Sequence, residues 1–295
     1  MFEGIYVASI TPFTSEGKID YEIYREHLEF LMDHEVHGIV VCGTTGEGAV
    51  LSIDEHRRMI EKSVEVSGEL GFKIVAGTGT NDTARTIELT KQAKEAGADG
   101  ALIVTPYYNK PTQEGLYQHY KAIANAVDIK IILYNVPSRT SVNLNSHTVK
   151  RLAEIENIVA IKEASGNLDQ VTEIARSTNL EILSGDDALS LSMYALGGVG
   201  VVSVVGNIVP GDILEIYNAW NAGEFQKALK ISNKLYPLSK AMFVETNPVP
   251  VKTMLMLLGR YNGSVRLPLV PIKPENKEIL NQILISFGMA GDSEI

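Results

Sequence analysis

The stretch KIILY at residues 130–134 and the stretch VAIK at residues 159–162 are short apolar runs, each followed by polar turn residues. A segment with the periodicity of an amphipathic helix comes after each turn. Six further runs of this kind lie at residues 4–10, 38–42, 73–76, 101–104, 180–183 and 200–204. Uninterrupted apolar runs are typical of parallel strands that are buried on both faces of a sheet.

Eight strands that alternate with helices match the number that closes a barrel, and 295 residues exceed the roughly 250 that such a barrel needs. The sequence therefore predicts an α/β fold of the (β/α)8 TIM-barrel type. The alternative is a doubly wound open sheet. It is less favoured because Gly77-Thr78-Gly79 lacks the third glycine of a dinucleotide fingerprint, whose position Asp82 occupies.

From about residue 210 the pattern becomes purely helical. We predict helices at residues 212–222, 224–244, 251–258 and 275–287. We assign residues 1–223 to a catalytic barrel and residues 224–295 to an appended C-terminal helical region. No flexible linker separates the two, so we expect the region to pack on the barrel.

Several helix ends also have recognisable signals. Ser52 and Glu55 have the spacing of a capping box. The other expected helix boundaries are Asp20, Asn81 or Asp82, Asn167 and Asp187 as N-terminal signals and Gly97 as a C-terminal one.

Composition limits the class of function. The formal net charge of −10 disfavours nucleic acid as a partner, and no apolar run approaches the roughly 18 residues of a membrane helix. Cys42 is the only cysteine, so a disulfide within the chain is impossible, and residues 1–13 lack the basic leader of a signal peptide. We expect a cytoplasmic protein.

Catalytic side chains of such barrels lie at the carboxyl ends of the strands. The predicted strand ends are rich in hydroxyl groups and contain no histidine, since the six histidines fall in helices or outer loops. A metal-assisted aldolase would need histidine or carboxylate ligands there, and Asp186 with Asp187 is a weak candidate pair. We therefore expect neither metal nor cofactor, and a lysine that forms an imine is the alternative electron sink.

Lys162 is the candidate for that lysine. Strand alternation places it on the same face as Ala160, whose small side chain leaves room in the barrel. Burial would favour the neutral amine, which is the nucleophilic form. The alternative is that Lys162 extends to solvent or pairs with Glu163.

Tyr134 ends the preceding strand, so its phenol is placed to transfer protons to and from an adduct on Lys162. The hydroxyl of Thr44, at another strand end, could hold that phenol and relay the proton. The alternative for Tyr134 is a core aromatic whose hydroxyl is satisfied locally.

Two segments suit carboxylate binding. The loop GTTGEG at residues 43–48 offers backbone amides and hydroxyls to a small carboxylate, although a phosphate loop or an ordinary turn would look similar. Arg139 can hold a second carboxylate through two parallel hydrogen bonds, although a solvated loop arginine is the common alternative.

With these residues identified, the chain resembles the dihydrodipicolinate synthase family, also called 4-hydroxy-tetrahydrodipicolinate synthases. These are pyruvate-dependent lyases that form a Schiff base. The resemblance covers essentially the whole chain. It is carried by GTTGE at residues 43–47, TPYYNKP at 105–111, YNVPSRT at 134–140, IKEA at 161–164 and ETNPVPVK at 245–252.

The resemblance implies four catalytic residues. Lys162 would form the imine with pyruvate, and Tyr134 would be the proton donor and acceptor. Thr44 and Tyr108 would complete a proton relay, with Tyr108 contributed by a neighbouring subunit. Homotetramers built as dimers of dimers are usual in the family.

The resemblance also implies the binding residues and the pathway. Thr45 and the backbone of Val202 would contact pyruvate, and Gly185 is assigned to the same substrate-binding group. Arg139 would hold the carboxylate of the second substrate, L-aspartate 4-semialdehyde. The product would enter the diaminopimelate route to lysine.

Two alternatives have other functions. N-acetylneuraminate lyases and 2-keto-3-deoxygluconate aldolases keep the lysine, the tyrosine and the GTTGE loop, but Ser138-Arg139-Thr140 favours a substrate with a carboxylate. The other alternative is a catalytically silent barrel that binds small molecules. The intact set of Lys162, Tyr134, Thr44 and Tyr108 argues against it, because binding alone would not need a reactive amine.

Feedback inhibition by lysine should be weak or absent. Inhibited family members typically have serine, histidine, histidine and glutamate where this chain has Gly48, Ile53, His56 and Arg85. Arg85 would repel the ammonium group of lysine that an acid would attract. A titration of activity with lysine tests this, and strong inhibition at sub-millimolar lysine would contradict it.

Overall fold

The computed structural model describes residues 1–289 of the chain, so the predicted end of the helical region at residues 290–295 lies outside the described residues. Within them the chain forms eight strands. These are β1 (Gly4–Ala8), β2 (Gly38–Val41), β3 (Lys73–Gly77), β4 (Gly100–Val104), β5 (Lys130–Asn135), β6 (Ile158–Glu163), β7 (Glu181–Ser184) and β8 (Gly200–Ser203).

The strands form a closed parallel barrel in the order of the sequence. Each strand pairs with its sequence neighbours, and β8 returns to β1 through the pair Gly200 and Gly4. This confirms the predicted (β/α)8 barrel and excludes the open sheet. The first run was predicted too long, since β1 ends at Ala8 and Ile10 is buried beyond the strand.

Helices cover the barrel and form the C-terminal region. They are α1 (Tyr21–Asp33), α2 (Ile53–Leu70), α3 (Thr83–Glu95), α4 (Gln113–Ala126), α5 (Pro137–Thr140), α6 (Ser146–Leu152), α7 (Leu168–Ser177), α8 (Ser190–Ala195), α9 (Pro210–Asn221), α10 (Phe225–Ala241), α11 (Val249–Leu257) and α12 (Pro274–Ser286). The four helices predicted after residue 210 correspond to α9 to α12, with ends that differ by one to three residues.

The predicted helix boundaries are largely confirmed. Ser52 and Glu55 form the capping box of α2. The side chains of Asp20, Asp82 and Asn167 accept backbone N–H groups at the starts of α1, α3 and α7. Such caps satisfy N–H groups that the helix itself leaves unpaired.

Asp187 does not begin a helix in the way that was expected, whereas Gly97 ends α3 as predicted. Asp186, rather than Asp187, caps the short 3-10 turn Asp187–Leu189. Asp187 instead accepts the backbone N–H groups of Val204 and Val205 at 2.9 and 3.0 Å. Gly97 follows the last residue of α3 by two positions, with a φ of +92° that ends the helix.

Strand alternation divides the core into two layers. Side chains such as Ile132, Ala160 and Leu183 form a cluster inside the barrel. The intervening residues, such as Leu133 and Ile161, pack outward against the helices. Ala160 therefore faces the interior, as the sequence predicted. Lys162, two positions later in β6, faces the same way.

The C-terminal helices pack on the barrel. Leu238 of α10, Met254 of α11 and Leu284 of α12 belong to one buried cluster with strand residues such as Ile39 and Ile74. Burial of such side chains stabilises each by about 1.5–3 kcal/mol relative to exposure. No helix within residues 1–289 is long and apolar enough to span a membrane.

The closure of the barrel requires a glycine at position 200. A Cβ atom there would lie 2.1 Å from the carbonyl oxygen of Gly4 and 2.9 Å from a methyl group of Leu183. We expect Gly200→Ala to destabilise the protein by about 1–3 kcal/mol, because the added methyl overpacks the barrel core. Midpoints of urea unfolding measure the effect.

Gly68 provides the matched control. It lies within α2, and a Cβ atom there would meet nothing within 4 Å. Gly68→Ala should stabilise the protein by about 0.5–1 kcal/mol, because alanine has the higher helix propensity. Equal midpoints for the two variants would contradict the close contact between β1 and β8.

Candidate active site

Lys162 lies near the end of β6 with only 6% of its surface exposed. Its partner in the parallel register is Tyr134 of β5. The Lys162 Nζ atom lies 4.4 Å from the centre of the Tyr134 ring. The amine and the phenol-bearing ring are therefore neighbours, as the sequence predicted.

Glu163 faces away from Lys162. Its carboxylate accepts hydrogen bonds from Asn135 Nδ2 at 3.2 and 3.0 Å and from Gln170 Nε2 at 3.0 Å. It also accepts the backbone N–H of Ser165 at 2.7 Å. With its oxygens occupied in this way, Glu163 does not form the ion pair with Lys162 that was one of the alternatives.

Gly185 makes room for the lysine side chain. A Cβ atom at this position would lie 2.6 Å from the Cβ of Ala164 and 3.0 Å from the Cε of Lys162. Two small residues thus flank the buried aliphatic chain. Gly185, which follows β7, lies directly beside the candidate nucleophile.

Six of the eight predicted site residues line one cavity of about 620 Å³. They are Lys162, Tyr134, Thr44, Thr45, Arg139 and Gly185. The same cavity is lined by residues of the C-terminal region, including Phe243, Thr246 and Asn247. The barrel strands and the appended helices therefore build the site together.

Val202 and Tyr108 are not among the residues that line this cavity. Val202 lies in the cluster inside the barrel, and Val204 lines the cavity instead. Tyr108 is 89% exposed, with a left-handed φ of +70°. Within a single chain, Tyr108 thus takes no part in lining the cavity that contains the amine.

A tight turn at residues 43–48 presents Thr44 and Thr45 to the cavity. The N–H of Glu47 donates to the carbonyl of Thr44, and the N–H of Gly48 to that of Gly43, both at 3.1 Å. A Cβ atom on Gly48 would lie 2.0 Å from the carbonyl oxygen of Cys42. Only glycine fits there, so the local sequence sets the shape of the turn.

Asn247 connects the two predicted carboxylate-binding residues. Its Nδ2 atom donates to Thr45 Oγ1 at 3.0 Å, and its backbone carbonyl accepts from Arg139 Nη2 at 3.2 Å. Asn247 was not among the residues predicted from the sequence to form the site. In the sequence, only its place in the ETNPVPVK segment singles Asn247 out. No local pattern predicts its contacts, because more than 100 residues separate it from either partner.

The aspartates after β7 are engaged with the backbone. Asp186 accepts the N–H of Ala188, and Asp187 tethers the residues that follow β8. Burial raises the pKa of Asp187, while its hydrogen bonds act in the opposite direction. No group of three or more histidine, cysteine, aspartate and glutamate side chains within residues 1–289 is arranged to hold a metal.

A second cavity, of about 460 Å³, also borders the turn and shares Thr44, Tyr134 and Arg139 with the first. Gly48, Ile53, His56 and Arg85, the four positions of the predicted effector site, all line it. The guanidinium of Arg85 is paired with Glu88 at 2.8 Å. Burial lowers the pKa of His56, which favours its neutral form.

Comparison with known proteins gives a consistent result. The model of the dihydrodipicolinate synthetase family matches residues 1–286. The 4-hydroxy-tetrahydrodipicolinate synthase of Thermodesulfovibrio yellowstonii is 50% identical over 291 residues, which are 98% of this chain and 99% of that protein.

Solved structures agree in both fold and sequence. The dihydrodipicolinate synthase of Aquifex aeolicus has a TM-score of 0.96 and 46% identity, covering 99% of this chain and 100% of that one. A monomeric dihydrodipicolinate synthase variant has a TM-score of 0.95 and 40% identity, covering 98% and 97%. The chain belongs to the dihydrodipicolinate synthetase family.

Proposed function

We propose that the chain is a lyase that condenses pyruvate with L-aspartate 4-semialdehyde, the 4-hydroxy-tetrahydrodipicolinate synthase reaction. The observation that carries this is the buried amine of Lys162 beside the ring of Tyr134, in a cavity that also holds Arg139. Relatives with about half of their residues identical bear the name of that activity. The product would enter the diaminopimelate route to lysine, and we infer that the enzyme acts in the cytoplasm.

The chemistry begins at Lys162. Its neutral amine attacks the ketone carbon of pyruvate, a C–N bond forms, and the ketone oxygen leaves as water. The resulting iminium draws electrons from the methyl group, which loses a proton and becomes an enamine. The enamine carbon then attacks the aldehyde carbon of the second substrate, whose oxygen takes up a proton.

The cycle closes when the amino group of the second substrate replaces Lys162 at the imine carbon, which forms the ring and frees the lysine. Because the iminium itself accepts electrons, this scheme uses no cofactor. Tyr134, whose ring centre lies 4.4 Å from the Lys162 amine, has a phenol able to carry the protons, and Thr44 lines the same cavity. We assign them to the relay.

Tyr108 is the fourth member of the proposed relay, supplied by another subunit. A tyrosine that is 89% exposed in a left-handed conformation is costly for an isolated chain. Contact with a second copy would bury the ring and offset that cost. We infer a homotetramer built from two dimers, in which Tyr108 crosses the dimer interface.

Substrate binding uses the turn at residues 43–48 and Arg139. Thr45, Gly185 and the backbone of Val202 would contact the pyruvate moiety, and Arg139 would pair with the carboxylate of the semialdehyde. The chain has a formal net charge of −10. Attraction of the two substrate carboxylates must therefore come from local groups such as this guanidinium.

The Schiff base can be trapped directly. Incubation with pyruvate and borohydride should add one reduced pyruvate adduct at Lys162, detected by mass spectrometry of the intact protein and its peptides. Lys162→Met should abolish both labelling and turnover, because no other amine replaces the nucleophile.

Lys240 supplies the control for this labelling. It lines the same cavity but is exposed, so Lys240→Met should be labelled like the parent protein. An adduct on Lys162→Met, or none on the parent, would rule out the proposed chemistry.

Arg139→Ala tests the second substrate. We expect kcat/KM for aspartate semialdehyde to fall about 10- to 100-fold, the loss typical of a charge-assisted hydrogen bond. Labelling of Lys162 by pyruvate and borohydride should persist.

The exposed Arg176 of α7 gives a matched control, since Arg176→Ala removes a guanidinium that does not line the described cavity. Unchanged turnover of the semialdehyde by Arg139→Ala would favour an aldolase for a substrate without that carboxylate.

A further inference from the structure

Strained backbone lies on both sides of the two threonines in the turn at residues 43–48. Cys42 and Glu47 both have left-handed conformations, with φ values of +56° and +50°. Residues with a Cβ atom adopt this region at a cost, and they keep it only where the surroundings hold them. Thr44 and Thr45 lie between these two positions, so the placement of their hydroxyls depends on whatever holds the turn.

The side chain of Glu47 is one such hold. It is 5% exposed, and one carboxylate oxygen forms an ion pair with Lys252 of α11. The other oxygen accepts the backbone N–H of Arg266 at 3.0 Å. Both partners come from the C-terminal region, 205 and 219 positions further along the chain.

Lys252 is fully buried, with 0% of its surface exposed. Its ammonium also donates to the carbonyl of Ser264 at 3.0 Å and lies 4.3 and 5.3 Å from the ring centres of Phe13 and Tyr261. Burial lowers the pKa of Lys252 to about 8, and Glu47 acts in the opposite direction. The charge in this enclosure is thus balanced by the Glu47 carboxylate.

The same C-terminal segment holds the turn at a second point. Asn247, five positions before Lys252, donates to the hydroxyl oxygen of Thr45. On the barrel side, the hydroxyl of Thr11 donates to the carbonyl of Gly46 at 2.6 Å. Three consecutive residues of the turn are therefore each held by a separate contact.

A buried ion pair fixes the orientation of its two side chains, whereas an apolar contact mainly holds two segments together. Apolar side chains of similar size would often join two segments at least as strongly as a buried ion pair. A carboxylate with an ammonium on one oxygen and an N–H on the other is instead fixed in orientation. In this chain that orientation passes to the strained backbone of Glu47, two residues from Thr45.

We propose that Lys252, acting through Glu47, is a positioning residue that orients the hydroxyls of Thr44 and Thr45 toward the amine of Lys162. The proposal rests on the function proposed above. Lys252 does not line the cavity that contains Lys162, so it acts without touching substrate.

Three variants test the proposal: Lys252→Met, Glu47→Gln and the combination of both. Lys252→Met should raise the KM for pyruvate about 10- to 100-fold, the effect of a small displacement of binding groups. It should also lower the thermal midpoint, because the Glu47 carboxylate is left buried without its cation. Circular dichroism establishes that each variant is folded.

The double variant separates positioning from stability. It contains no unpaired buried charge, so its thermal midpoint should return toward that of the parent protein. Its KM for pyruvate should stay raised, because the orienting ion pair is still missing. A purely structural role predicts that KM recovers together with the midpoint, and that result would overturn the proposal. The double variant alone decides the matter if Lys252→Met does not fold.

Lys234→Met is the matched control. Lys234 lies in the same C-terminal region as Lys252, and the substitution removes its exposed ion pair with Asp212. Its KM should equal that of the parent. Borohydride labelling at saturating pyruvate distinguishes the two proposals. Absence of labelling in the parent protein would remove the proposed function itself. Normal labelling together with an unchanged KM in Lys252→Met would overturn the positioning role alone.

Discussion

The parallel register between β5 and β6 places Tyr134 opposite Lys162, and the site is arranged around that pair. Register is set by closure of the barrel, because each strand is paired on both sides and none can slip without breaking two ladders. Small residues at positions 160, 164 and 185 then leave space for a lysine chain in a densely packed interior. The amine of Lys162 is thereby fixed near the carboxyl end of β6.

The C-terminal helices are part of the site as well as of the core. Lys252 of α11 lies beside Glu47, and Asn247, in the segment between α10 and α11, lies beside Thr45 and Arg139. A strained turn on the barrel is thus stabilised by a segment that follows it by about 200 residues. In barrel enzymes generally, a stable framework supports functional groups that are held in energetically costly conformations, and this turn follows that rule.

The structure of one chain leaves the proposed relay incomplete, since Tyr108 is exposed and does not line the cavity that holds the other members. Exposure of a large aromatic ring in a left-handed turn is understandable if a second copy of the chain covers it. Assembly would then couple activity to oligomerisation, because a monomer would hold the nucleophile without its full set of proton carriers.

The sequence by itself determined the barrel, most helix caps and six residues that share one cavity, because strand periodicity and capping are local properties. It also placed Lys162 and Ala160 on one face. Only the tertiary structure decided that Glu163 turns to Asn135 rather than to Lys162, and that Asn247 and Lys252 hold the Thr44 turn. Those contacts join residues far apart in the chain, and no local pattern specifies which distant polar groups a closed barrel will bring together.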